Sequence, residues 1–128
     1  LGLENVLHST IAEHHAMLGY SITTVGNQRI VMPPIDAQIG SMVSVSIAAS
    51  NIALSTHQIE GISIQNQLVG VVSSIQVVGS RMLVSVDTGA ELIVEVTNKA
   101  LVDLKIAVGT QVYCLIKAQN IHPISMHL

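Results

Sequence analysis

Apolar and hydroxyl-bearing residues alternate along much of this chain. Val43-Ser44-Val45-Ser46-Ile47 puts β-branched side chains on one face and serines on the other, the period-two pattern of a half-buried strand. Met82-Leu83-Val84-Ser85-Val86 and Leu92-Ile93-Val94-Glu95-Val96 read the same way, with Asp87-Thr88-Gly89-Ala90 between them as a hairpin turn. An earlier pair, Ser21 to Val25 and Arg29 to Met32, flanks Gly26-Asn27-Gln28. Further turn formers fall at Pro33-Pro34, Gly40, Gly79-Ser80 and Gly109. One segment breaks the pattern. Asn98-Lys99-Ala100-Leu101-Val102-Asp103-Leu104 opens on a capping-type Asn and sets Ala100, Leu101 and Leu104 at helical spacing, which predicts a short helix over 98–104. The expected class is all-β with one short helix.

The chain also repeats itself. Ile39-Gly40-Ser41-Met42-Val43 through Ala48-Ala49-Ser50-Asn51-Ile52 matches Val108-Gly109-Thr110-Gln111-Val112 through Lys117-Ala118-Gln119-Asn120-Ile121. Asn5-Val6-Leu7 and Asn66-Gln67-Leu68 open the two copies. A repeat of roughly sixty residues implies a duplicated small unit, the second carrying about eight extra residues that include the predicted helix. The units are expected over 1–60 and 61–128, about five short strands each, with the boundary in the polar stretch from Thr56 to Gly61. Units this small are marginal alone and must bury apolar faces against each other or a second chain. Where the copies differ, Lys117 stands in place of Ala48.

Composition narrows the function. Hydrophobic residues are 49%, aromatics 2%, and Phe and Trp are absent, so the core is aliphatic, which suits a small barrel. Five Lys and Arg against eight Asp and Glu give a net charge of −3. That excludes the clustered basic surface a nucleic acid needs, and equally a polybasic membrane patch. No apolar run approaches a bilayer span. The lone Cys114 cannot form an internal disulfide, fits a reducing compartment, and lies in an apolar run that predicts a buried thiol. The chain begins mid-pattern at Leu1-Gly2-Leu3, without an initiator Met, and is read as a piece of a longer protein.

Catalytic and metal motifs are missing. No Gly-Lys-Ser/Thr phosphate loop or Gly-x-Ser-x-Gly elbow occurs, and no spaced Cys/His set suits zinc. His14 and His15 are adjacent, hence on opposite faces of a strand, while His8, His57, His122 and His127 are scattered. This piece is therefore not expected to be an enzyme. What remains is polar and cationic: Ser63-Ile64-Gln65-Asn66, Thr97 before the helix, and Lys117 in the apolar run Val112 to Ala118. A Lys there either carries its head to water or is neutralised by an anion. One Lys, two hydroxyls and an Asn amide would supply the donors that a deprotonated tetrahedral oxyanion accepts.

At these residues the chain resembles a family. Ser63, Asn66, Leu68 and Gly70, then Val96, Thr97, Ala100 and Leu104, then Gly109, Val112, Tyr113, Ile116, Lys117 and Ala118 together look like the Mop, or TOBE, domain of molybdate-handling proteins. Gly2 to Leu7 and Ile47 to Ser55 are similar to the C-terminal regulatory region of the ATP-binding subunit of molybdate ABC importers. The resemblance implies tandem OB-like barrels, a homodimer, and molybdate or tungstate held between subunits, with no other cofactor. It implies oxyanion-binding residues Ser63, Gln65, Asn66, Thr97, Lys117 and Ala118. Gln65 stands where the family usually has Arg, a neutral amide in place of a guanidinium fork. The resemblance further implies an upstream ATPase domain, indirect contact with a membrane permease, and a cytoplasmic location at the inner membrane. A stand-alone molybdate store, the effector half of a molybdate-responsive transcription regulator and a ligand-free dimerisation module are the alternatives.

Overall fold

The computed structural model describes residues 2–124. Ten strands form two five-stranded antiparallel sheets. The first sheet holds β1 (Glu4–His15), β2 (Tyr20–Val25), β3 (Gln28–Met32) and β4 (Met42–Ala48). The second holds β6 (Asn66–Val78), β7 (Arg81–Asp87), β8 (Glu91–Val96) and β9 (Gln111–Ile116). The expected all-β class with a single α-helix is what the chain adopts, and α1 spans Asn98–Leu104. Thr97, and not Asn98, caps that helix: its Oγ1 accepts the Ala100 N–H at 3.1 Å, and Asn98 is the first helical residue. Both residue types cap well; the extended backbone at Thr97 decides between them.

Two long strands organise the sheets. β1 buries Asn5, Leu7, Ser9 and Ile11, and β6 buries Asn66, Leu68, Gly70 and Val72 at the same phase. Each breaks register once, between Ile11 and Glu13 and between Val72 and Ser74. A bulge bends its strand, so the first part of β1 pairs with β4 and the rest with β2, as β6 does with β9 and β7. Gly70 is required where it stands. A Cβ there would lie 2.6 Å from the Asp87 carbonyl oxygen and under 3 Å from Val86 and Thr88 side chains.

The halves exchange their last strands. β5 (Ala53–Ser55), which follows the first repeat, pairs with β9 of the second sheet. β10 (His122–Pro123), which follows the second, pairs with β4 of the first. The buried side chains form one continuous cluster drawn from both halves, from Leu7, Ile30 and Ile47 to Leu68, Val94 and Ile116. Cys114 lies in this cluster, fully buried, and burial pushes its thiol up to about 12. The sequence expectation of a buried, unreactive cysteine thus holds.

Two asparagines lock the exchange. Asn5 Nδ2 donates to Ile93 O at 2.9 Å while its Oδ1 accepts the Ile93 N–H at 2.8 Å. Asn66 does the same to Val31, with both distances 2.8 Å. Each amide imitates a strand neighbour for a residue of the opposite half, and each also donates to its own sheet, to Ile47 O and Ile116 O respectively. Gln28 adds a third tie, donating to Val69 O and Thr88 O.

Candidate functional site

The ladder between β6 and β9 ends with Asn66 opposite Ile116. One residue further out on each side are Gln65 and Lys117. Ser63 and Gln65 are exposed, Ala118 is half-buried, and Lys117 is exposed. Lys117 does not lie within the apolar strand as the sequence suggested. β9 stops at Ile116, and Lys117 is the extended residue that leads into the short 3-10 turn Ala118–Asn120. Its ammonium therefore reaches water without crossing the core. Arg29, Arg81 and Lys99 pair with Glu13, Glu95 and Asp103; Lys117 pairs with no carboxylate among the described residues.

Three open clefts surround this end of the molecule. Leu18, Tyr20, Ile22, Val31, Gln65 and Ala118 line one of about 470 Å³. Lys117 lines a second of about 260 Å³ with Asn51, Ala53, Ile64 and Asn120 among others. Thr97 lines a third of about 240 Å³, otherwise apolar, with Ala53, Leu54 and Leu104 among its walls. Thr97 and Lys117 open on different clefts, with Ala53 bordering both. One chain thus gathers Ser63, Gln65, Lys117 and Ala118 near one ladder end, while Thr97 opens on a different cleft.

The donors differ in availability. Lys117 Nζ can give three hydrogen bonds and Gln65 Nε2 makes one long bond, 3.3 Å, to Ser63 O. Thr97 spends a lone pair on the helix cap, which leaves its hydroxyl hydrogen to donate. Asn66 departs from the sequence expectation of a ligand amide. It is buried, and both of its amide hydrogens are committed to Val31 O and Ile116 O. Its role as a clasp was missed, although the recurrence of Asn at the opening of both copies was its signal.

The histidines hold local structure. His14 Nε2 donates to Ala37 O at 2.7 Å, which leaves Nδ1 of the neutral ring to accept from Ser21 Oγ at 2.9 Å; Ser21 Oγ in turn accepts the Ile35 N–H. These bonds pin the loop after β3. His15 stacks on Tyr20 and bonds Glu13, whose carboxyl is held below the usual carboxylate range by Arg29 first and His15 second. His14 and His15 take separate partners, as adjacency required. No group of three or more metal-ligating side chains occurs among the described residues, and His127 lies outside them. No helix among them is long and apolar enough to cross a membrane.

Comparison with known proteins places these features in a family. The TOBE domain model matches residues 62–123. The chain is 32% identical over 110 residues to the molybdenum import ATP-binding protein ModC of Pasteurella multocida, covering 84% of this chain and 31% of that protein. It is 26% identical over 118 residues to ModC of Haemophilus influenzae, covering 91% of this chain and 34% of that protein. The chain therefore spans about a third of the length of these curated relatives. Its fold is that of a solved structure of the cytoplasmic molybdate-binding protein ModG, with a TM-score of 0.73, 21% identity, and coverage of 91% of this chain and 92% of that one. The resemblance read from Ser63 to Ala118 is borne out: residues 62–123 of this chain are a TOBE domain.

Proposed function

We propose that this chain is the C-terminal regulatory and dimerisation domain of the ATPase subunit of a molybdate importer, and that it binds molybdate or tungstate between two copies of itself. The observation that carries this is the match to two ModC proteins along most of this chain but only about a third of theirs. Such a domain acts beside the membrane on the cytoplasmic side, linked to the permease through the ATPase, and is not itself catalytic. In each chain Lys117 supplies the positive charge, and Ser63, Gln65 and the Thr97 hydroxyl supply neutral donors. Thr97 and Lys117 open on different clefts, which favours a site completed by a second chain. An anion bound there favours one arrangement of the paired domains, and so biases the attached ATPases only as far as its affinity differs between arrangements.

A second reading is a stand-alone molybdate-binding protein, favoured by the near-complete coverage of ModG, 92% of that chain. The encoding reading frame separates them: an ATPase module upstream of Leu1 excludes the stand-alone protein. Binding itself is tested by calorimetric titration with sodium molybdate at modest salt, sulfate being the control. Saturable heat with molybdate, abolished in Lys117→Ala, is expected. No heat up to millimolar molybdate would leave a dimerisation module. Gln65→Arg is expected to tighten binding by about one to two decades, the worth of one charge-assisted hydrogen bond.

A further inference from the structure

The two halves end their first ladders alike. Glu4 pairs with Ala48 and Asn5 with Ile47; Asn66 pairs with Ile116, and Gln65 and Lys117 follow. The residue that enters each 3-10 turn has almost the same backbone, φ −64° and ψ 133° at Ala48 against φ −65° and ψ 136° at Lys117. Both asparagine clasps are formed, with the same three kinds of partner. The backbone frame of the second-half end is thus present in the first half.

At the ladder end the side chains differ, and beyond it the first half has Pro33-Pro34-Ile35-Asp36 after β3, with no counterpart of the Thr97 hydroxyl. Gly2 stands for Ser63, Glu4 for Gln65 and Ala48 for Lys117, while Ala49 and Ala118 agree. The second-half end offers an ammonium, an amide and a hydroxyl. At these positions the first half offers no cation and no hydroxyl, Ser50 of the turn that follows lining the Lys117 cleft instead, and its one ionisable side chain is a carboxylate, which only accepts hydrogen bonds. Glu4 is exposed and pairs with no cation among the described residues. A tetrahedral dianion is attracted to one end and repelled from the other. Resting on the oxyanion-binding role proposed above, we infer that each chain holds one oxyanion and not two, and that Glu4 is the residue that closes the first-half end to anions. Loss of the lysine alone would leave a weak neutral frame, whereas the carboxylate makes the choice one-sided.

Stoichiometry tests this. Sodium molybdate is titrated into the wild-type chain and into the variant Gly2→Ser/Glu4→Gln/Ala48→Lys, with sulfate as the control. Glu4 is exposed and Ala48 half-buried, and a Cβ at Gly2 meets nothing within 4 Å, so the variant is expected to fold; an unchanged circular dichroism spectrum and melting temperature check that. If the triple variant is unstable, Glu4→Gln/Ala48→Lys takes its place. One molybdate per wild-type chain is expected, and a second, weaker one per variant chain, which still has no counterpart of Thr97. Two per wild-type chain, or no second molybdate on the folded variant up to millimolar ligand, would overturn the inference while leaving the oxyanion-binding role intact. No binding by either protein would overturn that role, and this inference with it.

Discussion

Thr23 carries a buried hydroxyl that no group satisfies among the described residues. Its counterpart under the repeat is Val86: Thr23 faces Ile11 across the β1–β2 ladder as Val86 faces Val72 across β6–β7, and both are fully buried. Valine has nearly the shape of threonine without the orphaned oxygen. Thr23→Val is therefore expected to stabilise the fold by about 1 kcal/mol, the usual penalty of an unmet buried hydroxyl. Chemical denaturation measures this, and a loss of stability would mean that Thr23 has a partner in solution. At this scale the sequence was partly legible. Lys117 was singled out because it interrupts the match between copies, and it does occupy an exposed, uncompensated position. The ligand role of Asn66 rests on the resemblance; its burial and its bonds to Val31 join residues far apart in the chain, which no local pattern reveals.

Among the elements, the helix is the clearest departure from the repeat. α1 fills the place where the first half has the loop after β3, held by His14 and Ser21. The helix ends on Lys105, whose φ of 56° and ψ of 42° place it in the left-handed region, and it is the one non-glycine residue with positive φ among those described. Its N–H reaches the Leu101 and Val102 carbonyls, so the conformation closes the helix at a steric cost that glycine would not bear. Lys105→Gly is expected to raise stability by about 0.5–1 kcal/mol after the entropy that glycine adds to the unfolded chain. A lowered melting temperature would contradict it. The hairpins and the helix were readable because alternation and turn residues coincide there. β1 and β6 were seen only as the openings of the copies. Their inward positions include Asn5, Ser9, Asn66 and Gly70, which interrupt the apolar alternation, and their bulges shift its phase.

For the whole molecule the exchange of β5 and β10 decides how the halves depend on each other. Neither sheet is complete without a strand from the other repeat, and the core is shared. A chain of residues 57–128 alone lacks β5 and the Val31 partner of Asn66. It is expected to be unfolded or aggregated, with little dispersion in its amide spectrum, because a unit of this size has little core of its own. A cooperatively folded 57–128 would show that the halves are independent. The duplication itself was plain in the sequence, since Gly40 and Gly109 recur in register. The exchange was not, because a two- or three-residue strand such as His122–Pro123 carries no periodic signal.

Whether this molecule holds an oxyanion at the end of the β6–β9 ladder is tested most directly by crystals grown with molybdate and the anomalous scattering of the metal. One molybdenum peak per chain is expected, within hydrogen-bond reach of Lys117 Nζ and enclosed by residues of a second chain. A peak remote from Lys117, or none at saturating molybdate, would contradict it.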